Sequence, residues 1–240
     1  MTLVRRCGPR FADPMGEGSS GAGGARINVA IADDYPVMRE GLARLIADEF
    51  GFAVTGSAAT ARELRSLVTR QPPHVLVMDL MLQDADGLAL IKEVAVLAPT
   101  LRIVVFSDHP EDVYAERCLR VGAHGYVMKR DPVATLFRAI RDTAAGGIAV
   151  SPRVSSDVLG RLMGRTTKPV GVVGSLTDRE LQVFRLAGRA LSTRVIAAQL
   201  GVSAKTVEAH RENIKSKLGV ENHAALVARA AQWLRESGQG

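Results

Sequence analysis

The chain has 240 residues, of which 47% are apolar, and carries a formal net charge of +6. That is enough apolar material for one or two globular domains, yet no apolar run approaches the roughly 18 residues that a membrane span needs. The basic residues Arg5, Arg6 and Arg10 have no apolar segment behind them, so a secretory signal is not expected.

Residues 1–25 contain G-E-G-S-S-G-A-G-G-A without periodic apolar positions and read as a disordered tail. The glycine run precedes the first strand instead of following it, which rules out a dinucleotide loop. From Ile27 onward, short Val- and Ile-rich runs alternate with helix-like stretches. Strands are expected near 27–32, 52–57, 74–79, 101–106 and 124–128, and helices near 36–50, 60–70, 87–97, 110–121 and 131–145. Pro36 and Pro132 suit first helical turns, while Gly51, Gly122 and Gly146 suit helix ends. The alternation predicts parallel strands with crossover helices, an α/β domain over 26–146 with a doubly wound, five-stranded parallel sheet. Ligands of such sheets bind beyond the carboxyl ends of the strands. Four polar loci fall there: Asp33 with Asp34, Asp79, Ser107 and Lys129.

Residues 147–174 hold a short amphipathic piece (Val154, Val158, Leu159, Leu162) followed by T-T-K-P-V-G-V-V-G-S, and read as a linker. From 175 to 240 the periodicity is helical only. Thr177 and Glu180 form a capping box, and Ser192 caps a second helix running to Leu200. Gly201-Val202-Ser203 turns into a third helix at about 204–218, and 222–235 forms a fourth. Two short helices joined by a glycine-containing turn, inside a small bundle, are the helix-turn-helix signature. The charge distribution points the same way: residues 27–150 carry thirteen basic and sixteen acidic groups, residues 175–240 ten and six. On the third helix Val207, Ile214 and Leu218 should face the bundle, with His210 in a structural role on or beside that stripe. Lys205, Thr206, Glu208, Ala209, Arg211, Glu212 and Lys215 fall on the remaining arc, which is expected to enter the major groove. There Glu208 would accept from a cytosine amino group, and Lys205, Arg211 and Lys215 would contact phosphates or guanines.

Cysteine and histidine usage adds exclusions. Cys7 lies in the tail and Cys118 on a predicted helix, and the five histidines lack paired ligand spacing. Neither a disulfide framework nor a structural zinc site is expected, and a reducing cytoplasm fits.

The segments I-A-D-D-Y-P, D-L-M-L-Q-D-A-D-G, F-S-D-H and G-A-H-G-Y-V-M-K, with Gly87 eight residues after Asp79, closely resemble the receiver domain of two-component response regulators. The segments L-T-D-R-E (176–180), S-T-R-V-I-A (192–197) and L-G-V-S-A-K-T-V-E-A-H-R-E-N-I-K-S-K-L-G-V (200–220) resemble the LuxR-type helix-turn-helix of the NarL/FixJ class. The resemblance implies a flavodoxin-like receiver followed by a small all-α, four-helix DNA-binding domain. It implies that Asp79 accepts a phosphoryl group as a nucleophile. Asp33, Asp34, Asp79 and the Met81 carbonyl would hold Mg²⁺, whose charge offsets the repulsion between carboxylate and phosphoryl group. Lys129 would neutralise phosphoryl oxygens, Ser107 would hydrogen-bond one of them, and Tyr126 would be the aromatic switch. The implied partners are a sensor histidine kinase or small phosphodonor, promoter DNA and a second copy on that DNA, with RNA polymerase also allowed. A membrane is not among them, and the chain would be a regulator, not an enzyme.

Three positions depart from the family pattern. Gln83 replaces a proline four residues after the acceptor, Val195 replaces a glutamate, and Ala190 stands where glycine often ends a helix. Two rival functions fit the sequence less well. A phosphoaspartyl hydrolase needs two acids spaced two residues apart after the first strand, whereas A-D-D-Y offers adjacent ones. A phosphate-independent docking module has Gln83 as its only support.

Overall fold

The computed structural model describes residues 26–82, 85–164 and 172–236. The expected tail, Gln83 and residues 165–171 of the expected linker lie outside them. Five strands, β1 (Ile27–Ala32), β2 (Phe52–Ala58), β3 (Val75–Met78), β6 (Arg102–Ser107) and β7 (Gly125–Met128), form a parallel sheet in the order β2-β1-β3-β6-β7. A small antiparallel pair, β4 (Met81–Leu82) and β5 (Ala85–Asp86), follows β3 and was not foreseen from the sequence. Period-two alternation splits each strand between two cores. Val29, Ile31, Val75, Val77, Val104 and Phe106 face one side. Ala30, Ala32, Leu76, Met78, Ile103 and Val105 face the other.

Helices cover both faces, as a doubly wound fold requires. On the first side lie α1 (Pro36–Asp48), through Leu42 and Ile46, and α5 (Val133–Ala144), through Leu136 and Ile140. On the second lie α2 (Ala61–Arg70), α3 (Gly87–Leu97) and α4 (Glu111–Arg120), through Leu64, Ile91 and Cys118. Pro36 opens α1 as expected; Pro132 is the residue just before α5. Part of the expected linker is a helix, α6 (Pro152–Leu162), whose Val154 is buried in the second core.

Beyond a 3₁₀ turn (Val172–Ser175) come α7 (Asp178–Gly188), α8 (Thr193–Leu200), α9 (Ala204–Leu218) and α10 (His223–Glu236). The first two carry their expected caps: Thr177 and Glu180 form both bonds of the capping box, and Ser192 accepts from the Val195 backbone; Ser203, in the expected turn, also caps α9 by accepting from the Thr206 backbone. The small core of this half (Phe184, Ile196, Val207, Ile214, Leu226) is continuous, through Leu176 and Leu181, with the α2–α4 side of the sheet.

Candidate functional site

Strand register assembles the first site. Ala32 pairs with Met78, Met78 with Val105, and Ser107 with Met128. Asp33, Asp79, Ser107 and Lys129 therefore emerge at one edge, as the sequence predicted. Lys129 Nζ donates to Asp33 Oδ2 at 2.8 Å and to Asp79 Oδ2 at 3.0 Å. Asp33 is 1% exposed and Asp79 7%. The other Asp33 oxygen accepts from the Tyr35 backbone at 2.8 Å, and Arg39 donates to the Asp33 carbonyl, fixing the turn from β1 into α1. Burial pushes the Asp79 carboxyl above its ordinary range, more than Lys129 draws it down. For Lys129 the balance is opposite: burial disfavours the ammonium, but Asp79 and Asp33 together outweigh it and raise its pKa.

Carboxylate oxygens of Asp33, Asp34 and Asp79 lie within 4.8 Å of one another. Asp34 Oδ1 is buried and has no hydrogen-bond partner among the described residues. A hard oxygen-donor set with an unsatisfied buried oxygen suits a divalent cation. Met81 sits beside it at the start of β4. A Cβ on Gly87 would lie 1.9 Å from the Leu80 carbonyl oxygen. Only glycine therefore lets α3 close against the segment that carries Met81.

Ser107 is fully buried and accepts from the His109 backbone at 3.3 Å. Tyr126 lies inside the second core, its hydroxyl donating to the His109 carbonyl at 2.7 Å. Burial, then Arg185, Arg189 and Lys129, push the His109 imidazole down to about 3, so it is neutral at physiological pH.

On α9, Lys205, Thr206, Glu208, Ala209 and Glu212 are exposed and Lys215 is half-buried. Arg211 corrects the expected arc. It is 5% exposed, and its guanidinium reaches Thr193 Oγ1 at 2.5 Å and Glu208 at 3.0 Å. It ties α9 to α8 instead of standing on the exposed arc. His210 is half-buried beside the Val207–Ile214 stripe, as expected.

The two halves are joined by polar contacts that sequence reasoning missed. Buried Arg117 of α4 donates to Asp178, to the Leu176 carbonyl and to the Gly174 carbonyl. Gln182 donates to Asp86, and Arg185 Nη2 points at the Met81 sulfur at 2.8 Å. The signal was available: Arg117 follows Val113 by one helical turn, and Arg185 follows Leu181. Both are charges set on an otherwise apolar stripe.

Residues 29–141 match the response regulator receiver domain, and residues 174–230 match the bacterial regulatory proteins of the luxR family. The transcriptional regulatory protein UhpA of Salmonella typhimurium is 32% identical over 203 residues, covering 85% of this chain and 97% of that protein. RcsB from Salmonella enterica serovar Typhimurium, bound to promoter P1flhDC in the presence of a phosphomimetic, superposes with a TM-score of 0.67. It is 25% identical, covering 86% of this chain and 99% of that one. A structure of two RcsB dimers on two parallel DNAs matches with a TM-score of 0.53, at 27% identity and covering 85% and 96%. The matches span both halves in the order in which the acidic strand edge and the four-helix region occur. The chain therefore belongs to the two-component response regulators that join a receiver domain to a LuxR-type DNA-binding domain.

Proposed function

We propose that Asp79 is the phosphoacceptor of this regulator and that its phosphorylation changes how the α7–α10 region engages promoter DNA. The observation that carries this reading is Lys129 bridging Asp33 and Asp79 beside an unsatisfied Asp34 oxygen. A carboxylate so placed is a nucleophile within reach of a cation that steadies a phosphoryl group. Asp33, Asp34, Asp79 and the Met81 carbonyl would hold Mg²⁺, which when bound supplies charge neutralisation. Lys129 then shifts from bridging carboxylates to contacting phosphoryl oxygens, and Ser107 gains an oxygen to bond. Tyr126 lies inward with its hydroxyl on the His109 carbonyl, so the switch would act through the Ser107–His109–Tyr126 hydrogen bonds.

The donor would be a sensor histidine kinase or a small phosphodonor, and the compartment the cytoplasm. No described helix is long and apolar enough to cross a membrane, and Cys118 is a free thiol. DNA contact would come from Lys205, Thr206, Glu208, Ala209, Glu212 and Lys215, in two copies, as the RcsB dimers suggest. Since that arc is exposed while α7 packs on the receiver, the regulatory step is pairing of copies and not unmasking of α9.

The test is incubation with acetyl phosphate and Mg²⁺, read by intact mass and by titration of promoter DNA. Acid-labile phosphate and tighter DNA binding are expected, both lost in excess EDTA. Phosphorylation that persists in EDTA would remove the cation from the reading, and phosphorylation without a change in DNA affinity would favour the docking-module alternative.

A further inference from the structure

One short hairpin serves both the acidic strand edge and the docking of α7. Met81 of β4 hydrogen-bonds the Asp79 carboxylate through its backbone, while its sulfur faces Arg185 Nη2 of α7 at 2.8 Å. Asp86 of β5 caps α3 with one carboxylate oxygen and accepts from Gln182 of α7 with the other. Beside the hairpin lies a cavity of about 620 Å³, with Asp34 and Met81 on the receiver side and Arg185 and Arg189 on the α7 side. Asp34 Oδ1 and Arg185 Nε are buried without hydrogen-bond partners among the described residues. Arg185 is only 8% exposed, so a guanidinium of the DNA-binding half is held inside the contact with the receiver. Arg189, one turn further along α7, is exposed.

We infer that docking of α7 and occupation of the carboxylate cluster by a divalent cation oppose one another, with Arg185 as the positioning residue that couples them. The inference rests on the reading of Asp33, Asp34 and Asp79 as a cation site. Two effects of the same sign support it. The first is charge: without a cation the guanidiniums across the cavity partly offset the carboxylates, and they repel a cation that enters. Their field reaches the receiver, because after burial itself Arg185 and then Arg189 push the His109 imidazole down to about 3. The second is covalent connection. β4 and β5 have two residues each, so a cation engaged by the Met81 carbonyl constrains the same residue whose side chain supports Arg185. Coupling of this kind is reciprocal: the factor by which docked α7 weakens the cation is the factor by which the cation loosens α7. A divalent cation alone, before any phosphoryl transfer, therefore frees the DNA-binding half to meet a second copy.

The test uses the full chain and pairs Mg²⁺ calorimetry with amide hydrogen exchange. Arg185→Met, which removes the charge and keeps an apolar stem, should lower the Mg²⁺ dissociation constant about fivefold, the low end for coupled sites. Arg185→Lys, which keeps the charge, should stay near the wild-type value. Arg189→Gln should lower the constant about twofold, since an exposed charge is screened by solvent and salt. Arg117→Gln combined with Asp178→Ala releases the α4 clamp without altering the cavity lining, and should match Arg185→Met with both arginines intact. In the wild-type chain, saturating Mg²⁺ should speed exchange across Val172–Asp178, the segment held by Arg117, by about the same fivefold relative to EDTA. In Arg185→Met that response should shrink. Wild-type Mg²⁺ affinity in both Arg185→Met and Arg189→Gln would overturn the inference, and the second variant keeps the test open should the first not fold. Tighter binding in Arg185→Met that the clamp variant does not reproduce, or exchange that ignores Mg²⁺, would overturn the link to docking. A wild-type chain that binds no Mg²⁺, or binding that Asp34→Ala leaves unchanged, would instead overturn the cation reading, and this inference with it.

Discussion

The acidic strand edge and the recognition helix are both arrays of charged side chains, yet they are built in opposite ways. At the strand edge Asp33, Asp79 and Lys129 are buried and pair with each other, so each position is fixed by the register of adjacent strands. On α9 the exposed side chains are held by little beyond their own helix, apart from the Glu208–Thr193, Lys217–Glu180 and Ser203–Thr206 hydrogen bonds. A buried paired site fails sharply when one member changes. An exposed face fails in proportion to the charge removed. This difference orders the expected effects.

Asp79→Asn should give the largest. The amide keeps the volume but is not a nucleophile and brings no charge to a cation. Acid-labile phosphate should fall to background, and residual uptake comparable to wild type would move the acceptor elsewhere, Asp33 and Asp34 being the neighbouring acids.

Arg211 and Lys205 then separate burial from exposure within one helix. Arg211→Ala leaves the Thr193 hydroxyl and the Glu208 carboxylate without their shared donor, and should destabilise the C-terminal half by about 2 kcal/mol. Lys205→Ala should leave the melting temperature in place. It should instead weaken DNA binding uniformly across sequences and lower the slope of log affinity against log salt by about 1. Equal melting temperatures for the two variants would mean that the Arg211 contacts carry no stability.

These cases also show how far the sequence could be read. The strand-end residues were legible because parallel strands put their carboxyl ends at one edge, so position in the chain already implies position in space. The caps at Thr177 and Ser192 were legible because each is satisfied within four residues. Arg211 was misplaced because helical spacing gives an angle and not a neighbour: Thr193, eighteen residues away, draws it inward. The β4–β5 pair is two residues per strand, too short for any period. The Arg117 clamp depends on how α7 and the 3₁₀ turn pack on α4, which no local pattern encodes.

The capping box offers a pH-dependent effect. Burial alone would raise the Glu180 carboxyl, but hydrogen bonds from Lys217 (2.6 Å) and the Thr177 backbone (2.7 Å) outweigh it and hold its pKa below the ordinary 4.5. A depressed carboxylate contributes stability that is complete above its unfolded pKa and is lost as pH falls through the folded value. The C-terminal half should therefore lose stability below about pH 4.5. Glu180→Gln, about 1 kcal/mol less stable at neutral pH, should flatten that decline. A decline of equal steepness in wild type and variant would assign it to other carboxylates.

The smallest effect concerns Ala190, whose φ of 58° is the one positive value among the described non-glycine residues. A left-handed conformation costs an alanine about 1–2 kcal/mol, because its Cβ crowds the following carbonyl. Ala190→Gly removes that strain but adds unfolded-state freedom worth about 0.4–1 kcal/mol. The residue is exposed, so no packing is lost. The balance favours glycine by about 0.5 kcal/mol, which corresponds to a rise in melting temperature of about 2 °C. A melting temperature that falls would show that the turn between α7 and α8 relaxes its backbone once the Cβ is gone.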